Sequence, residues 1–453
     1  MMQKENNLME KITSLAKRRG FIFPSSEIYG GFSSSYDYGF LGVELKNNLK
    51  RLWWKEMVQK RDDIVGLDAA ILMSPKVWQA SGHLSAGFAD ELVECKNCHH
   101  RFRLEEIKNS KKCPLCGGEL TKPRKFNLLM KTFVGPVENE SSITYLRPET
   151  CQGIYVNFKN VLNSSRKKIP FGIAQIGKAF RNEITPGNFT YRTREFEQME
   201  MQYFIKPPSE CQGKEKKPKE WLIYWQNERL NWYLKLGIKK ENIKLRKQKK
   251  EELAHYAKEA VDIEYKFPFG WHEVEGVHNR GDWDLSRHQQ FSGEELSYFD
   301  EEKKKKFIPW IIETSGGVDR ATLMFLIDAY EEIKGGRTKT TEAKKEVEIV
   351  LRLDKKLAPI KIAVLPLVKK EKLISLAKEI YYSLKNYWMV YYDEVGSIGR
   401  RYRRQDEIGT PYCLTVDFDS LEDKKVTIRD RDSMEQERIN ISELIDYFKD
   451  KFS

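Results

Sequence analysis

Two cysteine pairs, Cys95-Lys-Asn-Cys98 and Cys113-Pro-Leu-Cys116, constrain this chain more than any other feature. Fourteen residues, 99 to 112, separate them. That spacing lets two tight knuckles face each other and present four thiolates tetrahedrally, the geometry of structural Zn²⁺. Four thiolates leave no open coordination position, so the expected contribution is to folding and not to chemistry. Two disulfides are a competing reading, and they require an oxidising compartment. The N-terminus carries no apolar export signal: Leu8, Ile12 and Leu15 recur as one face of a surface helix that ends at Arg18, Arg19 and Gly20. A degenerate ribbon without metal is the third reading. Residues 92–120 are therefore expected as a zinc ribbon set into a larger fold, in a chain that stays in the cytoplasm.

At roughly 150 residues per domain, 453 residues make about three domains, or one large domain with attachments. A hydrophobic share of 40% excludes a disordered chain, and no run approaches the ~20 apolar residues of a membrane span. Lys and Arg outnumber Asp and Glu by 79 to 67, a net +12. Such a balance suits a polyanionic partner, nucleic acid foremost, although lysine-rich composition alone gives the same figure. Val43 to Val58 reads as a helix with Leu45, Leu49, Leu52 and Trp53 on one side. From Thr144 to Phe204 the pattern is strands separated by turn residues, an antiparallel sheet. Residues 207–264 read as a lysine-rich helical insertion, whose basic run Lys239 to Lys250, with Arg246, is either a solvated helix face or an RNA contact. An apolar helix, Ala321 to Ile333, precedes a charged linker over 334–348. The stretch 355–453 alternates strand and helix, as a separate small α/β domain does.

Within the sheet region, residues 171–204 form a hairpin around Thr185-Pro-Gly-Asn188. Its second strand points Met199, Met201 and Tyr203 one way and Phe196, Gln198, Glu200 and Gln202 the other. A polar row there is costly unless it lines a wet cleft. Arg181 ends the first strand, with Arg192 and Arg194 across the loop; they serve either phosphate oxygens or a salt-bridge ladder with Glu183, Glu195 and Glu197. Glu313-Thr-Ser-Gly-Gly-Val-Asp-Arg320 leaves an apolar strand and opens an apolar helix. It is neither a P-loop nor Gly-x-Gly-x-x-Gly, and a helix start there favours phosphate or is simply a tight turn.

The hairpin FRNEI…YRTREFEQME, the ending GGVDR and YLRPETCQGIYVNF at 145–158 resemble class II aminoacyl-tRNA synthetases. The runs GLDAAILMSPKVWQASGH, RPETCQG, REFEQMEMQYF, HYAKEAVDIEY and GRRYRRQDEIGTP narrow the likeness to the homodimeric glycyl-tRNA synthetases, over essentially the whole chain. The resemblance implies an α+β catalytic domain over 1–350, a class II antiparallel sheet flanked by helices, and an anticodon-binding α/β domain over 355–453. It implies a ligase that activates glycine with Mg²⁺-ATP and transfers it to the 3′ end of tRNA(Gly). It also implies a homodimer whose interface includes the segment around Pro75.

By the same resemblance, Arg181 holds the ATP α-phosphate with Asn182 and Glu183 beside it, and Tyr191, Arg192, Thr193, Arg194 and Glu195 contact ATP. Phe196 stacks on adenine, Glu273 and Val274 meet the nucleotide, and Glu273 also meets Mg²⁺. Arg280 reaches the triphosphate, while Gly317, Val318, Asp319 and Arg320 hold its far side near the γ-phosphate. Arg181 and Arg320 are the implied catalytic pair. The implied glycine pocket is acidic, with Glu149, Glu200 and Glu313 receiving the ammonium group. Around it stand Arg103, Phe196, the run Glu197, Gln198 and Met199, and the run Thr314, Ser315, Gly316 and Gly317. Cys151, Tyr191 and Thr314 replace the usual alanine, phenylalanine and proline; Cys151, with no histidine in its motif, reads as a packed thiol. A pocket for the smallest amino acid needs no editing domain, and none is evident. In the tail, Arg400, Arg401, Arg403 and Arg404 surround Tyr402, charge with an aromatic able to stack on an unpaired base. The competing readings are a non-catalytic nucleic-acid-binding protein on the same fold, like the accessory subunits of organellar DNA polymerases, and a synthetase for alanine or serine.

Overall fold

The computed structural model describes residues 2–84, 88–104, 107, 110–185, 187–337 and 346–453, with side chains from residue 8 onward. Pro186 of the hairpin loop and most of the expected linker lie outside these residues. In chain order the main body contains α1 (Met2–Arg19), α2 (Phe40–Trp54), β1 (Ile64–Gly66), α3 (Cys151–Val156), β2 (Phe171–Phe180), β3 (Glu195–Ile205) and α4 (Pro218–Lys235). It continues with β4 (Ile243–Lys247), β5 (Glu259–Phe267), β6 (Gly270–Gly281), α5 (Trp283–Ser292), β7 (Trp310–Gly317) and α6 (Val318–Ala329). Seven strands form one sheet in the order β4-β5-β6-β7-β3-β2-β1. It is antiparallel except at its edge, where β1 runs parallel to β2.

The alternation on β3 sets its two faces. Met199, Met201 and Tyr203 join Ile12, Leu15, Leu45, Leu49 and Trp53 from α1 and α2, with Met324 and Phe325 from α6, in the principal core. Hydrophobic burial of this kind is worth about 1.5–3 kcal/mol per large side chain. The other face holds the polar row and carries the site described below.

Three expectations are corrected. Residues 151–156 and Phe158–Ser165 are helical within the region read as strands. Cys151, Ile154, Tyr155 and Phe158 fall on one buried stripe against Phe171 and Phe204, a helical period inside a strand-rich stretch. The segment read as a helical insertion is part of the main body. α4 buries Trp225, Trp232 and Tyr233 in the core, and Ile243–Lys247 is an edge strand whose Lys244 and Arg246 meet Glu264 and Asp262 of β5. The apolar helix stops at Ala329, and Tyr330–Lys334 pairs with Val347–Leu351 as a β-ribbon flanking the linker.

The cysteine unit is a small three-stranded sheet in which Ala89–Glu94 pairs with Arg101–Arg103 and with Arg124–Asn127. Among the described residues its own core is only Val93, Phe102 and two of the cysteines, Cys95 and Cys113, with partly buried neighbours.

The tail forms β8 (Ile362–Pro366), α7 (Glu371–Lys385), β9 (Val390–Tyr392), α8 (Ile398–Asp406), β10 (Tyr412–Val416), β11 (Lys425–Asp430), β12 (Gln436–Asn440) and α9 (Leu444–Phe452). Its mixed sheet, ordered β9-β8-β10-β11-β12, has its own core under α7 and α9. Leu353, Leu357, Ile360 and Ile408 nevertheless belong to the principal core, so the junction is packed. Among the described residues, no helix is long and apolar enough to cross a membrane.

Candidate active site

Strand register builds the site. Gln202 of β3 pairs with Glu313 of β7, which pairs with His278 of β6, so three polar side chains lie in one row across the sheet. Two residues along, Glu200, Ser315 and Gly276 make the next row, and Gln198 opposite Gly317 leads towards the start of α6. Above these rows is a cavity of about 240 Å³, closed at one end by carboxylates and opening between arginines.

At the acidic end, Gln202 Nε2 donates to Glu200 Oε1 and to Glu313 Oε1, both at 3.0 Å, and the Thr150 hydroxyl donates to Glu200. The Cys151 thiol and Gln152 Nε2 donate to Glu149 at 3.0 and 2.9 Å. His278 Nδ1 lies 2.8 Å from Glu313, and Arg280 Nη1 donates to the same carboxylate at 3.1 Å. The other edge of Arg280 donates to Asp284 at 2.7 and 2.9 Å, and its guanidinium lies 3.7 Å from the centre of the Tyr256 ring.

These neighbours divide the acids. Burial and the Glu313 charge lift the Glu200 carboxyl well above the usual range. Burial pushes Glu313 the same way, but Arg280 and His278 outweigh it and hold Glu313 low. Burial likewise opposes Glu149, yet His83 and Arg280 keep it well below its ordinary value. Burial pulls His278 down, but Asp262 and Glu313 prevail and push it up to about 9, which makes it an imidazolium at neutral pH.

At the other end, the Arg181 guanidinium sits 5.7 Å from the Phe88 ring centre and 5.4 Å from that of Phe196, with Nε donating to Pro148 O at 3.0 Å. Arg320, in the first turn of α6, lies over the Tyr191 ring at 4.5 Å and donates from Nε to Tyr191 O at 3.1 Å. Arg192, Thr193, Glu183 and Glu273 complete this end. Two fixed guanidiniums, one in the first turn of α6 and one just past the end of β2, favour polyphosphate.

The structure brings Glu149, Arg181, Glu183, Tyr191, Arg192, Thr193, Phe196, Gln198, Glu200, Glu273, Arg280, Glu313, Ser315, Gly317, Asp319 and Arg320 around one cavity. Arg280, 1% exposed, is committed to Glu313 and Asp284 at the acidic end, where the sequence reading put it on the triphosphate. Asp319 is held by Lys46, Tyr38 and the Glu197 amide.

Other expected residues are engaged elsewhere, several because alternate strand positions face the reverse side. Met199, Val274 and Val318 are in the core. Thr314 pairs with Met201 on the reverse face, Gly316 abuts Glu275, and Glu197 pairs with Lys46 and Lys50. Glu195 pairs with Lys178. The Arg194 guanidinium donates to Ser33 O, and the backbone amide of Asn182 donates to Leu128 O. Arg103 meets Glu183 and Asp90. The sequence reading missed Thr190, Tyr256, Gly276 and His278 as lining residues. His278 stands two before Arg280 on β6, a period-2 signal that was available.

The four cysteine sulfurs lie within 4.8 Å of one another, with Cys95–Cys116 at 3.5 Å and Cys98–Cys113 at 3.7 Å. A tetrahedron of sulfurs at ~2.3 Å from zinc has edges of about 3.8 Å. The amides of Cys98 and Leu115 donate to Cys95 Sγ and Cys113 Sγ, as suits thiolates. Gly118 has no room for a side chain, since a Cβ would meet Cys95 Sγ at 3.0 Å.

In the tail, the reading of Tyr402 as a base-stacking surface is corrected: its hydroxyl bonds Thr415, and Arg429 covers its ring. Arg401 is buried and donates to the carbonyls of Pro366, Asp393 and Leu367. Arg404 pairs with Asp393, and Arg400 keeps its exposed place on α8.

Residues 135–330 match the family model described as the tRNA synthetase class II core domain (G, H, P, S and T), and residues 361–451 match the anticodon binding domain. The chain is 52% identical to the glycine–tRNA ligase of Thermobifida fusca, across all of both chains. It is 55% identical to that of Treponema denticola, over 99% of this chain and 98% of that one. With the enzyme of Borreliella burgdorferi the identity is 54%, over 97% of each.

Proposed function

This chain belongs to the glycine–tRNA ligase family, and from that premise we propose that the cavity on β3, β6 and β7 is where glycine meets ATP. The observation that carries this reading is three buried carboxylates, Glu149, Glu200 and Glu313, closing one end of a cavity whose other end holds Arg181 and Arg320. Glycine's ammonium group sits among the carboxylates, which directs its own carboxylate towards the arginines. In-line attack by that oxygen on the α-phosphorus forms glycyl-adenylate and expels pyrophosphate. The ribose hydroxyl at the 3′ end of tRNA(Gly) then takes the glycyl group and AMP leaves.

This chemistry needs positioning and charge neutralisation more than a general base. Arg181 is already fixed by two rings and a carbonyl, so it offers its charge to the α-phosphate at little reorganisation cost. Arg320 answers the far phosphates, and Phe196 supports the adenine.

Mg²⁺ keeps most of its water and needs only one or two carboxylates besides the phosphates. Glu273, half exposed at the rim, fits that requirement. The buried set Cys151, Glu200 and Glu313 does not, since it offers a thiol and is already answered by Arg280 and His278. For the four-cysteine unit we assign Zn²⁺, because the sulfur spacing fits its tetrahedron and the amides bond the sulfurs. A homodimer is supported by Ile28, Tyr29 and Phe32, at 87%, 86% and 63% exposure on one loop, apolar area that a second copy would cover.

The test is charging of a tRNA(Gly) transcript by the purified chain with labelled glycine, alanine and serine. Charging with glycine alone is expected; charging with either competitor, or with none, contradicts the assignment.

A further inference from the structure

Each strand of the four-cysteine sheet ends on the nucleotide side of the cavity. Just before the first strand, Phe88 carries the Arg181 guanidinium on its ring. The second strand ends at Arg103, whose Nη2 donates to Glu183 Oε2 at 2.5 Å and lies 2.7 Å from Asp90 Oδ2. Just after the third, Leu128 O accepts the amide of Asn182 at 2.8 Å. Arg181, Asn182 and Glu183 are the residues that follow β2, so one short stretch of the site takes all three contacts.

Glu183 is 8% exposed, and Arg103 is its only ion-pair partner among the described residues. Arg103 in turn is aimed by its strand, where it stands opposite Leu92. That strand lies three residues after Cys98, in a unit whose apolar core is too small to hold its own register. A metal on four cysteines supplies what the core lacks.

We propose that the four-cysteine unit is a metal-dependent positioning device for the nucleotide end of the cavity, acting through the Arg103–Glu183 ion pair. Arg103 is a positioning residue: it fixes the Glu183 carboxylate beside Arg181 before ATP arrives. The inference rests on the zinc and ATP-site readings given above.

The test uses the full chain as wild type, Cys116→Ser, Arg103→Met, Arg103→Lys and the Cys116→Ser/Arg103→Met double variant. Zinc content, far-UV circular dichroism and the calorimetric affinities for α,β-methylene-ATP and for glycine are measured. The wild type is expected to hold about one zinc per chain. Loss of zinc in Cys116→Ser and loss of the pair in Arg103→Met should each weaken the analogue by about tenfold or more, with glycine little changed. The double variant should be no weaker than either single one, and Arg103→Lys should recover part of the loss.

Additive losses, a loss confined to glycine, or a wild type without zinc would overturn the proposal. If Cys116→Ser does not fold, Arg103→Met with unchanged analogue affinity overturns it alone. A zinc-loaded wild type that binds no analogue overturns the ATP-site reading itself.

Discussion

Replacing Glu200 by glutamine removes one ionisable acceptor and little volume. Glu200 is the acid lifted by burial and by its neighbour Glu313. It is 1% exposed, takes bonds from Thr150 and Gln202, and shares Gln202 with Glu313. An arriving ammonium ion is the charge that lets Glu200 ionise, so glycine binding releases a proton and weakens as pH falls through the raised value. A charge-assisted hydrogen bond contributes about 1.5–3 kcal/mol, so Glu200→Gln should raise the glycine KM by ~10- to 140-fold. It should also flatten the pH dependence of KM while leaving the ATP KM nearly unchanged. Stability carries a second sign. With its carboxyl lifted in the fold, the native state holds a proton that the unfolded chain has released, so wild-type stability falls as pH rises between the two values. Glu200→Gln escapes that loss and should be the more stable protein on the alkaline side, with the gap closing towards the unfolded carboxyl value. Glycine-dependent pyrophosphate exchange from pH 6 to 9 and urea melts over the same range read both effects. An unchanged glycine KM with the wild-type pH slope would refute the reasoning.

Other consequences are as direct. Arg181→Ala should lower exchange by about 10²–10³, the cost of removing one fixed donor from developing charge, with an unchanged melting curve; near-normal exchange would remove Arg181 from the mechanism. Arg229 and Glu275, each side chain 1% exposed, pair at 2.7 Å beneath the sheet. Arg229→Ala strands a buried carboxylate and should cost about 3–5 kcal/mol in urea unfolding, much of it recovered by the Arg229→Met/Glu275→Leu pair. Glutamates at Arg400 and Arg403 of α8 should raise the KM for tRNA and leave exchange unaffected, because phosphate contacts act on RNA binding alone; equal loss in both assays would place their effect in the fold.

What could be read from the sequence follows from how local each signal is. The cysteine spacing and the two faces of β3 are fixed by neighbours in the chain, and both appear in the structure as read. Gln198, Glu200 and Gln202 line the polar face because alternation is a property of the strand itself. The same rule, applied more strictly, would have removed Met199, Glu197, Thr314 and Gly316 as side-chain contacts and added His278. Long-range pairing was harder to see. Lys239 to Lys250 has helical composition, yet Ile243 and Leu245 alternate with Lys244 and Arg246, and acids on β5 wait to neutralise the charges. Tyr402 combined charge and ring as an RNA surface does, but Thr415 and Arg429, both distant in sequence, claim it for the tail domain's own packing. Arg103 was expected beside glycine; only the fold shows it on Glu183, because its strand belongs to a unit docked on the far end of the cavity.

The central claim is that this cavity makes an adenylate with glycine and with no other amino acid. Pyrophosphate exchange by the purified, zinc-loaded chain, with each amino acid supplied separately, measures that step without tRNA. Exchange with glycine alone is the predicted result. Exchange with alanine or serine at a comparable rate, or with none of the amino acids, would contradict it.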